Sequence, residues 1–314
     1  MSNRFTVIFM GTPDFSVPAL RALAAHDCDI PLVITQPDRP KGRGRVLFPP
    51  PVKIAALELG IHVLQPKKLN TPEVVGQIRS LSPDFFVVVA FGQILSQEML
   101  RIPRIYPINI HASLLPAYRG ASPIHSAILN GETQTGITTM IMDRTLDTGD
   151  ILLMSSTPIS DNETTQNLHD RLAIMGADMI IKTLDGLRNN SIIPRPQDNA
   201  MASYAPMLKK EDGKIDWESE PGSIHSRVRA MTPWPGAFTF HGNERLKLFI
   251  VKPGFTPTDA LPGTILAADA QGIRVAAGNG TITILELQGA AGKRLRADEY
   301  LRGKTLSPGT RFHG

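Results

Sequence analysis

Three side chains carry the types and spacing that chemistry would need. Asn109 and His111 stand in the run Asn109-Ile110-His111-Ala112-Ser113-Leu114-Leu115-Pro116, and Asp147 stands in Leu146-Asp147-Thr148-Gly149-Asp150. Asn109 and His111 alternate, so on an extended strand both project to the same face. A side-chain amide can donate to a developing oxyanion. An imidazole can donate a hydrogen bond or a proton, and a carboxylate can orient it and accept protons from an ammonium. Together the three suit the attack of an amine on an acyl carbon. The same pattern also fits satisfied polar residues at a strand end with Asp147 forming a turn, and spacing does not separate the two. No metal centre is expected, because His125 lies fourteen residues beyond His111 and no H-x-x-x-H or C-x-x-C accompanies either. Ser113 lacks the glycine-flanked elbow of a serine nucleophile.

Two further loops bear on ligands. Gly11-Thr12-Pro13-Asp14-Phe15-Ser16 falls where a dinucleotide fold places G-x-G-x-x-G, yet it holds one glycine, and Pro13 removes an N–H donor. A nicotinamide or flavin is therefore not expected. Arg39-Pro40-Lys41-Gly42-Arg43-Gly44-Arg45 places four cations in seven residues. It is not a Walker loop, and its composition fits a solvated, flexible excursion as well as a polyanion contact.

The elements that must position these residues follow from hydrophobic period. Phe5–Met10, Ile30–Thr35, Val63–Gln65, Phe85–Ala90, Pro107–His111, Gly136–Met142 and Ile151–Pro158 read as strands. Helices are expected over Val17–Ala25 with Ser16 as N-cap, Val52–Leu59 after a long loop, Pro72–Ser80, Pro123–Leu129 and Thr165–Leu187. This alternation predicts an α/β fold: a Rossmann-like, mostly parallel sheet with helices on both faces. Asn109 and His111 then sit at the carboxyl end of a strand, where such sheets bind ligands. Prolines 194, 196 and 206 interrupt the pattern and predict an extended surface linker over 189–206. Beyond it, Gly236–Phe240, Leu246–Val251, Gly263–Leu266, Ile273–Ala276 and Thr281–Leu287 predict a small β-barrel, for which the OB type is one candidate. The expected domains are thus 1–188 and 207–314.

Composition agrees with a soluble, two-domain chain. Its 314 residues exceed what one core usually holds, and no run of eighteen apolar residues suggests a membrane span. Cys28 is the only cysteine, so no internal disulfide can form, and it reads as a small packed side chain rather than a nucleophile. With no secretory pattern at Met1–Phe5, a cytoplasmic location is expected. Residues 1–205 carry 18 basic and 18 acidic side chains, whereas 206–314 carry 15 and 11. The whole excess of positive charge lies in the last third, which suits a polyanionic partner.

Asn109-x-His111, Ser113-Leu114-Leu115-Pro116 and Leu146-Asp147-Thr148-Gly149-Asp150 closely resemble the signatures of the folate-dependent formyltransferases. The resemblance runs through essentially the whole chain. It includes Phe9–Phe15, the loop Gln36-Pro37-Asp38-Arg39-Pro40, Tyr118-Arg119-Gly120 and Trp234-Pro235, and it is strongest toward the branch that acts on methionyl-tRNA. The chain departs from many relatives at Ala112, where they have glycine, and from some at Tyr118, where they have tryptophan; both lie beside the reacting groups. The resemblance implies transfer of a formyl group from 10-formyltetrahydrofolate, a cosubstrate, to the amino group of initiator methionyl-tRNA, with no metal. It implies that Asn109 and His111 stabilise the oxyanion, and that Asp147 supports protonation of His111 and helps remove the amine proton. It implies a folate site lined by Phe91, Gly92, Gln93, Ile94, Leu95, Ser113, Leu114, Leu115, Pro116 and Asp143. It implies contacts to the tRNA acceptor stem from Arg39, Lys41, Arg43 and Arg45. Purine-ribonucleotide and amino-sugar formyltransferases and formyl-folate hydrolases share the three central residues, but normally lack both the basic loop and the appended barrel. A non-catalytic tRNA-binding protein is a further alternative, against which the intact Asn109, His111 and Asp147 argue.

Overall fold

The computed structural model describes residues 4–41, 46–290 and 292–313. In chain order the first two-thirds holds β1 (Phe5–Gly11), α1 (Val17–Ala25), β2 (Cys28–Ile34), β3 (Arg39–Lys41), β4 (Val46–Phe48), α2 (Pro51–Glu58), β5 (Val63–Leu64) and α3 (Pro72–Ser80). There follow β6 (Phe85–Val89), α4 (Gln97–Leu100), β7 (Tyr106–His111), β8 (Arg119–Gly120), α5 (Pro123–Leu129), β9 (Gln134–Ile141), β10 (Ile151–Pro158), α6 (Thr165–Arg188) and β11 (Tyr204–Ala205). The last third holds α7 (Pro221–Ala230), β12 (Ala237–His241), β13 (Glu244–Gly254), β14 (Ile265–Asp269), β15 (Gly272–Ala277), β16 (Gly280–Gln288), β17 (Leu295–Arg296), α8 (Ala297–Gly303) and β18 (Phe312–His313).

The chain divides into two compact units, one of residues 1–120, 135–157 and 169–205, the other of 121–134, 158–168 and 206–314. The first is built on a seven-stranded sheet in the order β10-β9-β7-β6-β1-β2-β5. β1 pairs in parallel with β2 and β6, β2 with β5, and β6 with β7, while β7 and β9 are antiparallel. The parallel-dominated, Rossmann-like layout therefore holds. Every residue of β6, Phe-Phe-Val-Val-Val, is buried, as a central strand covered on both faces requires. Fully burying each such side chain contributes ~1.5–3 kcal/mol, so this strand is a rigid base for the loop that follows it. Helix α3 shows why local sequence sufficed for many elements. Thr71 Oγ1 accepts from the Val74 amide, Glu73 lies in the first turn and Arg79 in the last, matching the helix dipole. Its buried face is Val74, Val75 and Ile78.

Three details depart from the sequence reading. Ser16 occupies the N-cap position of α1 but does not cap it with its side chain; the hydroxyl donates to the Val89 carbonyl at 2.7 Å, tying the β1 loop to the end of β6. The long loop before α2 contains an antiparallel hairpin, β3 with β4 in the register Arg39 to Phe48 and Lys41 to Val46. Short helices α4, α7 and α8 fall outside the elements the hydrophobic period predicts.

The second unit is an antiparallel sheet, β14-β15-β16-β13-β12-β18, with β17 added on β16, curled into half of a barrel. Its core joins Ile224 and Val228 of α7 to Leu246, Leu248, Ile282 and Ile284, with Trp217 stacked on Phe312. Among the described residues no helix is long and apolar enough to cross a membrane.

Candidate active site

The candidate residues collect where the first unit's parallel strands end. Asn109 and His111 lie at the carboxyl end of β7, with Asn109 paired to Val88 on one side and Met140 on the other. His111 is only 5% exposed and Asp147 8%. His111 Nε2 lies 2.9 Å from the Tyr118 carbonyl oxygen. A carbonyl can only accept, so Nε2 carries a proton in this arrangement. That leaves Nδ1, which faces Asp147 Oδ2 at 3.7 Å, an ion-pair distance when the ring is protonated. The Asp147 carboxylate also accepts from the Gly120 amide at 2.8 Å. Asp147 itself has φ of 55°, in the left-handed region that aspartate enters more readily than most residues. Asn109 is half-buried, and its side-chain amide makes no hydrogen bond to another described residue.

The adjoining loops are tied to the same strand ends. The Phe91 carbonyl accepts from Thr12 Oγ1 at 2.8 Å and from Gln36 Nε2 at 3.3 Å, and the Phe91 ring is buried. Gln93 braces the loop from inside: Oε1 accepts from the Leu69 amide and Nε2 donates to the Pro66 carbonyl. Ile94, by contrast, is 84% exposed, and Leu95 is buried. Gly92 has φ of 85°, a conformation that favours glycine. On the other side of β7, Ser113 Oγ donates to the Ala117 carbonyl. Thr138 of β9 bridges the Ser113 carbonyl and the Leu115 amide. Leu114 and Pro116 are half-buried and Leu115 is buried. Asp143 is exposed, its carboxylate accepting from the Arg144 amide. Since β6 and β7 are neighbours, the loops carrying Phe91–Leu95 and Ser113–Pro116 leave the sheet side by side.

The structure thus pairs His111 with Asp147 and puts Asn109 on the same strand face. The start of the basic segment is joined through Gln36 to the Phe91 loop. Arg39 is exposed and donates to Gln36 Oε1 at 3.3 Å, the backbone of Lys41 ends β3, and Arg43 and Arg45 lie outside the described residues. The root of the hairpin is fixed by Lys53, which donates to both oxygens of Asp38, joined there by Gln65. Those bonds hold the Asp38 carboxyl below the usual carboxylate range.

The profile of the formyl transferases matches residues 3–184, and that of the formyl transferase C-terminal domain matches 207–305. This chain belongs to the formyl transferase family. The formyl transferases most similar in sequence include a methionyl-tRNA formyltransferase of Geobacter metallireducens, 54% identical over 98% of each chain. That of Geotalea uraniireducens is 52% identical over 97% of this chain and 96% of the relative. Among solved structures, WlaRD, a sugar 3N-formyl transferase crystallised with dTDP and 5-N-formyl-THF, superposes with a TM-score of 0.68 at 20% identity, covering 93% of this chain and all of that one. HypX from Aquifex aeolicus in complex with tetrahydrofolic acid superposes with a TM-score of 0.60 at 16% identity, over 95% of this chain and 47% of HypX. At those identities the likeness is one of fold.

Several residues that hold this candidate site lie outside those the sequence singles out as its lining. Thr12, Gln36 and Thr138 hold its loops by hydrogen bonds across the sheet. Gln197 and the buried Arg119 back the Asp147 loop. The signal for Arg119 was available, since Tyr118-Arg119-Gly120 is part of the family resemblance. Nothing in the sequence around Gln197 marks it.

Proposed function

We propose that the chain transfers the formyl group of 10-formyltetrahydrofolate to the free amino group of initiator methionyl-tRNA, giving N-formylmethionyl-tRNA for translation initiation in the cytoplasm. The observation that carries the mechanism is the buried His111–Asp147 pair beside Asn109 at the carboxyl end of β7. The methionyl amine adds to the formyl carbon, and negative charge gathers on the formyl oxygen. The free amide of Asn109 and the Nδ1–H of His111 in its imidazolium form, which the Asp147 carboxylate supports, are the donors for that oxygen. Asp147 takes up the proton the amine loses, directly or through water. The bond from the formyl carbon to N10 then breaks, and N10 gains a proton, so that one proton passes in total from amine to leaving group. Burial of the pair excludes competing water from these steps.

The folate is read as lying against Phe91–Leu95, Ser113–Pro116 and Asp143, where backbone polar groups and apolar side chains alternate. The tRNA acceptor stem is read as meeting the basic segment at Arg39, Lys41, Arg43 and Arg45 and the positively charged last third, with the reacting groups confined to residues 1–188. The direct test incubates the protein with 10-formyltetrahydrofolate and methionyl initiator or elongator tRNA side by side. Formyl-methionine should form on initiator tRNA far faster than on elongator tRNA; no formyl-methionine on either would refute the reading.

A further inference from the structure

We propose that Gln197, in the stretch whose prolines mark it as a tether, is a positioning residue that holds Asp147 in its working conformation. The inference rests on the catalytic role given to Asp147 above. An aspartate tolerates φ of 55° but nothing in its own chemistry holds it there. Gln197 does: its Nε2 donates to the carbonyl oxygens of Asp147 at 2.9 Å and Gly149 at 2.8 Å, using both amide hydrogens. Its Oε1 accepts from Arg119 Nε at 3.1 Å and from an Arg119 terminal nitrogen at 2.8 Å. Arginine can only donate and a carbonyl can only accept, so the amide has one possible orientation. Arg119 is 2% exposed, and its guanidinium also reaches Asn199 Oδ1 at 2.8 Å. A buried guanidinium with these partners is costly to displace, so it fixes Gln197 in turn.

The backbone of the same stretch holds the other end of the pair. Tyr204 and Ala205 pair in parallel with Arg119 and Gly120, and the Arg119 amide donates to the Ser203 carbonyl at 2.8 Å. Ser203 Oγ accepts from the Tyr118 amide at 2.9 Å, and the Tyr118 carbonyl is what His111 Nε2 donates to. Gly120, whose amide binds the Asp147 carboxylate, has φ of 122°, and a Cβ there would lie 2.5 Å from the Ala205 carbonyl oxygen. One stretch of chain therefore registers the Asp147 backbone, its carboxylate and the partner of His111. Gln197 touches neither substrate nor proton; it acts through Asp147.

The test is kinetic, in the full-length protein. Gln197→Glu keeps oxygens for Arg119 but removes both donors to the Asp147 and Gly149 carbonyls, and Gln197→Ala removes everything. Both should lower kcat by about 10–100-fold, as loosening a residue behind a catalytic group does, with the KM for 10-formyltetrahydrofolate changed less than about threefold. In an Asp147→Asn background the same changes should add almost nothing. A fall in melting temperature with kcat per folded molecule unchanged would overturn the inference, as would a full additional loss in the Asp147→Asn background. Should neither Gln197 variant fold, Asn199→Ala removes a solvent-exposed partner of Arg119 and should give a smaller loss of kcat in the same direction; wild-type kcat there overturns the inference. The Asp147→Asn control separates the two readings. If it is inactive while the Gln197 variants are normal, only the positioning role falls, whereas a fully active Asp147→Asn removes the catalytic reading as well.

Discussion

His111 spends Nε2 on a backbone carbonyl, so any proton or hydrogen bond it offers a substrate passes through Nδ1, on the side of Asp147. His111→Ala, Asn109→Ala and Asp147→Asn should each lower the rate of formyl transfer on the order of 10²–10⁴-fold while leaving the circular dichroism spectrum intact. Their combinations should fall short of the product of the single effects, because the groups serve one transition state. Near-normal turnover at saturating substrate in any single variant would remove that residue from the mechanism. Cys28 gives a contrasting case. Burial pushes its thiol up to about 11, against the nearby Arg188 charge that would lower it. With a value about two units above that of an ordinary thiol, it should hold ~100-fold less thiolate at pH 7.5 and react correspondingly slowly with iodoacetamide, the rate climbing as pH rises. At this scale the sequence was legible where the residue type itself carries chemistry, as with Asn109, His111 and Asp147. Gln197 was not, because its meaning lies in Arg119 and in two carbonyls far along the chain, and a glutamine among prolines announces none of that.

Elements were legible where one period dominates a segment and both ends are punctuated, as in α1, α3, α5 and β10. Helix α7 is hard to see in the sequence because Pro221-Gly222-Ser223 has the composition of a turn, although Ile224, Val228 and Met231 form a helical stripe behind it. That helix carries a pH-dependent cost. Burial and the Arg229 charge one turn on both lower the pKa of His225, with Asp161 opposing them more weakly. In the unfolded chain His225 returns to its ordinary value near 6.5, so below that pH the unfolded state binds the proton that the folded state refuses. Stability from this site is complete above pH 6.5 and is lost as pH falls toward the folded value. His225→Gln should therefore flatten the decline of melting temperature between pH 7 and 5 relative to the parent, with little difference at pH 8. The loops after β6 and β7 belong to the same scale. Adding 10-formyltetrahydrofolate should slow hydrogen exchange at Phe91–Leu95 and Ser113–Leu115, and protection confined to residues after 207 would place the folate in the wrong unit. The pairing of β3 with β4 is hard to read in the sequence because the basic, glycine-bearing composition that begins at Arg39 is that of a loop, while its partners are Val46, Leu47 and Phe48 further along.

Over the whole molecule charge is unevenly spread, balanced through residue 205 and in excess by four afterwards. Binding of methionyl-tRNA should accordingly weaken as salt rises, since each phosphate contact releases counterions. Neutralising Arg43 and Arg45 together should shrink the slope of log affinity against log salt by about two contacts, at ~0.7–0.9 each. It should also erode the preference for initiator over elongator tRNA while leaving folate binding unchanged. Equal slopes with unchanged preference would make the basic segment a solvated excursion. A two-part layout was readable from the prolines at 194, 196 and 206, which break the alternation of strand and helix. What they concealed is that a proline-rich stretch can still be pinned, here by the bridge from Ile151 to Arg195, by the turn at Asn199–Met201 and by the β8–β11 pair. That pinning bears on how such enzymes can be recombined. A chimera that exchanges the C-terminal module by joining two parents just after α6 would import a foreign neighbour for Arg119 and a foreign brace for Asp147, and would be crippled at a step the exchanged module never performs. The same exchange joined after Ala205 would leave every one of those partners native, so the seam between inheritable parts lies there, well downstream of where the last helix stops.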